Sequence, residues 1–147
     1  MSNWFECKVS YDKTIENGMQ KKVTEPYLVE ALSFTEAEAR IIKEMTPFIS
    51  EGFIVSNIKR AKYAELFEDD PTGDKWYRCK VLFITIDEKS GAEKKSASNV
   101  LVKAADIQTA LTNLSEGMKG TMSDYEVASI IETPIMDVYH YELTIDN

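Results

Sequence analysis

The sequence predicts an α+β fold: a tandem duplication of a strand-strand-helix-strand unit forming a single antiparallel-sheet domain with two helices. Three observations carry that expectation. Trp4-Phe5-Glu6-Cys7-Lys8-Val9 recurs 72 positions later as Trp76-Tyr77-Arg78-Cys79-Lys80-Val81. Each copy opens a stretch that reads as a strand, and in the first the apolar and polar residues alternate with the period of two that marks one. Downstream of each, a capping residue opens a run whose apolar residues fall three and four apart, as on one face of a helix.

In the first strand Phe5, Cys7, Val9 and Tyr11 form one face, and Trp4, Glu6, Lys8 and Ser10 form the other. Cys7 therefore points inward. Asn17-Gly18 supplies a hairpin turn, and the chain returns through Lys21-Lys22-Val23 into Tyr27-Leu28-Val29. Pro26 brings no ladder donor, which predicts an edge strand or a bulge there. Ser33 with Glu36 three residues on makes a capping box for a helix that turns Phe34, Ala37, Ile41 and Met45 to the core. Pro47 and Gly52 close that helix. A third strand starts at Phe53-Ile54-Val55 and continues, with room for a bulge, past Ile58 and Tyr63 to Leu66-Phe67.

The acidic, turn-rich stretch Glu68-Asp69-Asp70-Pro71-Thr72-Gly73-Asp74 reads as a connector, so repeat 1 spans 4–67, a linker 68–75 and repeat 2 76–139. In repeat 2, Val100-Leu101-Val102 matches Tyr27-Leu28-Val29, Asp106 takes the place of Ser33, and Ile107, Ala110, Leu114 and Met118 fall on the helix anchors. A fixed period across several elements is the mark of a repeat. Two such units give about six strands and two helices, arranged as a twisted antiparallel sheet or pair of sheets with the helices on one side. The strand from Trp76 is apolar on both faces, which predicts a central position covered on both sides.

Across 147 residues, 44% are hydrophobic, enough for one good core. The formal charge of −8 is shared evenly: residues 1–73 carry 9 Lys and Arg against 13 Asp and Glu, and residues 74–147 carry 8 against 12. An acidic surface opposes non-specific attraction to nucleic acid and anionic membranes. No stretch is apolar for the length of a membrane span, and the strand pattern begins by Trp4, so the expectation is a cytoplasmic protein without a signal peptide. Two cysteines make no disulfide framework and read as small apolar side chains.

The segment Lys21-Lys22-Val23-Thr24-Glu25-Pro26-Tyr27-Leu28-Val29-Glu30-Ala31-Leu32-Ser33-Phe34-Thr35-Glu36-Ala37-Glu38-Ala39-Arg40 is similar, with the Trp4 to Val9 run and Gly120-Thr121-Met122-Ser123-Asp124-Tyr125-Glu126, to a family of uncharacterised proteins. That family is known from Bacteroides-type gut bacteria and their phages and is filed as a domain of unknown function. The resemblance covers nearly the whole chain. It implies a phage or mobile-element setting and carries over no activity and no site residues.

No catalytic constellation stands out, and the chain is expected not to be an enzyme. His140, the only histidine, has Asp137 and Glu142 as its nearest carboxylates in sequence, but a general base needs a nucleophile held beside it. Cys7, Cys79 and His140 lack the short pair spacing of a structural zinc site. The linker lacks the alternating acids and downstream glutamate of a calcium loop. No cofactor and no metal are expected.

Two features remain as binding surface. One is Lys59-Arg60-Ala61-Lys62-Tyr63, whose counterparts Ile131-Glu132-Thr133-Pro134-Ile135 are not basic. It reads either as a dock for an anionic ligand or acidic partner, or as a solvated strand face whose lysines discourage edge pairing. The other is Lys8 and Lys80 with Trp4 and Trp76, which form an aromatic and basic platform if they share a face. Alternatively, the tryptophans cover the second face of the sheet. The expected function is a non-catalytic binding protein engaging a protein or an anionic ligand; the alternatives are a single-stranded nucleic-acid-binding protein of phage replication and, behind both, an enzyme in whose cleft His140 or a cysteine meets a carboxylate. The strand edge around Pro26 leaves room for a homodimer.

Overall fold

The computed structural model describes residues 3–141. The chain is α+β, with eight strands and two helices among those residues. In order they are β1 (Asn3–Thr14), β2 (Gln20–Ala31), α1 (Phe34–Met45), β3 (Ile54–Ala61), β4 (Glu65–Phe67), β5 (Lys75–Ile86), β6 (Glu93–Ala104), α2 (Ile107–Gly117), β7 (Asp124–Thr133) and β8 (Val138–Tyr139). It divides into two compact units, Met1–Ala61 with Ile135–Asn147, and Lys62–Pro134.

In the first unit the sheet order is β3-β1-β2-β8. β1 pairs antiparallel with both neighbours, Cys7 facing Tyr27 on one side and Ile58 on the other. The register slips between Lys8 and Val9, where β3 holds one extra residue, so the bulge that the sequence allowed for lies inside β3. The short strand β8 runs parallel to β2 on its outer side, Leu28 against Val138 and Val29 against Tyr139.

Pro26 fits this edge for a simple reason. Its carbonyl accepts from the Met136 N–H on the outer side of β2, and two residues on the Leu28 N–H donates outward to Asp137. The missing N–H of Pro26 therefore falls on the outer side, just before the paired stretch, where no ladder bond is lost. Residues 136–139 lie along the edge that the sequence left open there.

The second unit repeats the plan with sheet order β7-β5-β6-β4. β5 is central, as its two apolar faces predict, although Arg78 and Lys80 on its second face are exposed. A bulge recurs between Lys80 and Val81, 72 positions after the first. β4 lies parallel to β6, Leu66 against Leu101 and Phe67 against Val102. The two short parallel strands are the difference from the expected six. The run toward Phe67 does not continue β3 but breaks at 62–64 and joins the sheet of β6.

The helices start where the sequence places them. Ser33 Oγ accepts from the Glu36 N–H at 3.1 Å, and Glu36 Oε1 accepts in return from the Leu32 N–H at 3.1 Å, one residue ahead of the cap. Asp106 Oδ1 accepts from the Thr109 N–H at 2.7 Å, which holds its carboxyl below the usual range. Ala37, Ile41 and Met45 are buried on α1, and Ala110, Leu114 and Met118 at or just past α2. The first anchor of each helix stays about half exposed, Phe34 at 46% and Ile107 at 53%. Phe34 still meets Phe5 edge-on at 4.9 Å between centroids.

Each unit has its own core on the helix side of its sheet. Phe5, Cys7, Val9, Val29 and Ile41 centre the first, and Cys79, Val81, Val100, Val102 and Leu114 the second. Burying side chains of this size stabilises by about 1.5–3 kcal/mol each. Leu28 and Leu101, at matching positions on the opposite sheet faces, are also fully buried.

Candidate functional site

Strand alternation decides where the predicted site residues go. In the first unit Trp4 and Lys8 share the face of β1 opposite α1, with Glu6 between them. Trp4 meets the ring of His140 edge-on at 5.2 Å. Lys59 stands across from Glu6 in register, and its Nζ lies 3.3 Å from Glu6 Oε2. Arg60, one residue on, faces the other way, and its guanidinium carbon sits 5.8 Å from the centroids of both Phe5 and Phe34. The basic run is thus split: Lys59 has an acidic partner on one face and Arg60 lies over aromatic rings on the other.

Lys62 and Tyr63 belong to the second unit. They line a cavity of about 400 Å³ with Ala97, Ser98 and Asn99, and the Ala64 N–H donates to the Asn99 carbonyl at 2.8 Å. Lys80 is exposed, whereas Trp76 is only 4% exposed, with Lys103 Nζ 5.8 Å from its ring centroid. In each unit the tryptophan and the first-strand lysine share a face. Trp76 itself is packed away from solvent.

Neither cysteine is poised as a nucleophile. Both are free and buried. Burial, followed by the charges of Glu6 and Glu38, pushes the Cys7 thiol up to about 12, and burial pushes Cys79 up to about 11. Both are thiols at neutral pH, when a reactive cysteine must be thiolate. His140 sits with its Nδ1 3.9 Å from Glu30 Oε1, which also accepts from the Tyr141 N–H at 2.9 Å. Arg40 of α1 donates to the carbonyls of Glu30 and His140 and lies 5.4 Å from the Tyr141 ring centroid. This cluster fastens the β8 segment to β2 and α1. Among the described residues no group of three or more His, Cys, Asp and Glu converges as a metal site.

The arrangement that the sequence did not flag runs along β3. That strand pairs with β1 and, among the described residues, carries no strand on its other side. Beside it α1 and the following loop open a groove of about 600 Å³, lined by Ile42, Ile49, Phe53, Ile54 and Val55 together with the polar Glu38, Thr46 and Ser50. Ile42 and Ile54 are 41% and 59% exposed. The available signal was an isoleucine next to the buried Ile41, off the core face of α1. At the matching places of the second unit stand Ser115 and Glu126, and Glu126 is tied to Lys95 Nζ at 2.8 Å. An exposed sheet edge beside a helix, with an apolar trough between them, can take an added strand: its backbone pairs with the edge and alternate side chains enter the trough.

No helix among the described residues is long and apolar enough to cross a membrane. Residues 3–141 match the family model described as Domain of unknown function (DUF4494). No curated protein and no solved structure matches the chain.

Proposed function

The chain belongs to the DUF4494 family, and we propose that it is a non-catalytic binding protein whose first unit takes an extended segment of a partner protein. The segment adds as a strand to the outer side of β3 and places apolar side chains in the groove against α1. The observation that carries this reading is the combination of a one-sided edge strand with an apolar trough along it. Between an anionic ligand and a protein, the placement of Lys59 on Glu6 and of Arg60 over Phe5 and Phe34 favours the protein. The high pKa values of both buried thiols support a role without nucleophilic chemistry.

A tandem origin of the two units is part of the same proposal. It is supported by matching sheet orders, by bulges 72 residues apart, and by N-caps at Ser33 and Asp106. A duplicated scaffold is free to keep one copy as structure and turn the other to recognition. The phage or mobile-element setting rests on the sequence resemblance alone, and the cytoplasmic setting on the lack of an apolar stretch of membrane-span length in the sequence.

Affinity capture from the producing cells, read as a difference between variants, tests the site. Ile54→Lys and Ile42→Glu should each lose a partner that the parent protein retains, while Glu126→Lys, at the matching place of the second unit, should keep it. Retention by all three variants would overturn the assignment. For the nucleic-acid alternative, titration with short single-stranded oligonucleotides at two salt concentrations is decisive, because phosphate-driven affinity falls steeply with salt.

A further inference from the structure

On the helix side of the first unit, past the end of α1, a second cavity of about 420 Å³ opens between strands β1, β2 and β8. Three tyrosines from three strands line it: Tyr11, Tyr27 and Tyr139. Tyr27 and Tyr139 stack at 6.2 Å between centroids, 25° from parallel. Two carboxylates, Glu25 and Asp137, share the lining, and the single cation there is Lys13. Phe48, 76% exposed, and Met136, 52% exposed, complete an apolar rim.

Three features favour a cation in this cavity, against the one positive charge of Lys13. Ring faces carry the negative side of the aromatic quadrupole and attract cations within about 6 Å. The carboxylates add full charge: burial and then Glu25 push Tyr27 and Tyr11 upward, while burial, Asp137 and Glu44 push Tyr139 up to about 12. Met45, the last residue of α1, also lines the cavity, so the negative end of the helix dipole points toward it.

The second unit indicates that the fold itself does not require this set. At the places of Tyr11, Tyr27 and Tyr139 it has Phe83, Val100 and Phe67, and at those of Glu25 and Glu44 it has Ser98 and Gly117. The same backbone is built there with no tyrosine at the three ring places and without those two carboxylates, while Glu65 keeps a carboxylate at the place of Asp137. In the first unit the set is drawn together by hydrogen bonds to Glu25, whose Oε1 accepts from the Tyr27 hydroxyl at 3.5 Å, so that rings and carboxylate face one cavity.

We propose that this tyrosine and carboxylate cavity is a binding site for an organic ammonium cation, held over the rings of Tyr11, Tyr27 and Tyr139 and neutralised by Glu25 and Asp137. An alkylated ammonium suits it best, because its methyl groups pack against ring faces while its charge is spread over them. The site shares Ile49 with the groove on β3 but none of its tyrosines or carboxylates, and it does not depend on that assignment.

The test compares two soluble probes of nearly the same shape, choline and its neutral isostere 3,3-dimethyl-1-butanol, by chemical-shift titration of the whole protein. Choline should saturate and shift resonances of Tyr139 and Phe48, with the neutral alcohol weaker by about 2- to 30-fold, the range expected when the cation–ring attraction is removed. The isosteric double variant Glu25→Gln, Asp137→Asn should weaken choline and leave the alcohol unchanged. The unchanged binding of the alcohol also shows that the double variant is folded. N-acetyl-lysine methylamide with a trimethylated side chain separates the sources: tighter binding than choline points to a side chain of a partner, weaker binding to a free small cation. Equal affinity for choline and the alcohol, no shift at the cavity, or indifference to the double variant would each overturn the assignment.

Discussion

In the first unit, Glu44 near the end of α1 acts on Tyr139 of β8 through its charge; at the matching places of the second unit, Gly117 ends α2 and Phe67 of β4 rests directly on it. A Cβ on Gly117 would lie 2.6 Å from the Phe67 ring, so there the short parallel strand is pressed onto its helix. In the first unit the same strand carries a hydroxyl instead; a cavity borders each end, about 420 Å³ lined by tyrosines in the first unit and about 470 Å³ lined by Phe67, Asn113, Glu116 and Gly117 in the second. One backbone plan thus yields two differently lined ends, according to whether the helix terminus offers bare backbone or a carboxylate.

The comparison is broken most forcefully in the cores, where the units should behave alike. Ile41→Ala and Leu114→Ala remove matched, fully buried side chains, and each should cost about 2–5 kcal/mol by denaturant or thermal unfolding. A large disparity between them would show that the two helices are not equivalent supports. At the helix ends, by contrast, the units should differ. Gly117→Ala drives a methyl into the Phe67 ring and should cost about 1–3 kcal/mol. Glu44→Ala, its counterpart, should stay within about 0.5 kcal/mol.

Most of the scaffold was legible before any coordinates. Period-two alternation located β1, and the capping residues and spaced apolar anchors located both helices, because each of those signals is local. The crossing of the short strands was not legible. β4 and β8 are three and two residues long, too short for any periodicity, and each is placed by pairing with a strand far away in sequence. For the same reason the tyrosine cavity escaped notice, since Tyr11, Tyr27 and Tyr139 meet only through the sheet order. The basic run was visible, yet the alternation that sends Lys59 and Arg60 to opposite faces depends on the bulge and register of β3.

Smaller effects sharpen the picture. Ser33→Ala removes the oxygen that accepts from the Glu36 N–H and should cost about 1 kcal/mol, measured by thermal unfolding. The two thiols should resist an alkylating reagent in the native state at neutral pH and become reactive on unfolding, with mass spectrometry reading the modification. Thiolate would appear in the folded protein only toward pH 11 to 12. The smallest effect lies in the connector, which is pinned to α2. Asp70 accepts from Asn113 Nδ2 and from Thr72, and these bonds, Asn113 first, lower its pKa. A depressed folded value means that the contribution is present above the ordinary carboxylate range, near pH ~4. It is lost as the pH falls through the folded value. Asn113→Ala should flatten that acid limb in pH-dependent unfolding.

The sharpest test of recognition by one unit alone is a paired photo-cross-linking measurement in the producing cells. A photoreactive residue is placed at Ile54 on the edge of β3, and separately at Glu126, the matching place on β7. If the first unit carries the site, position 54 yields one dominant protein adduct, which Ile42→Glu abolishes, and position 126 yields none. Equal adducts from both positions, or a dominant adduct at 126, would contradict it.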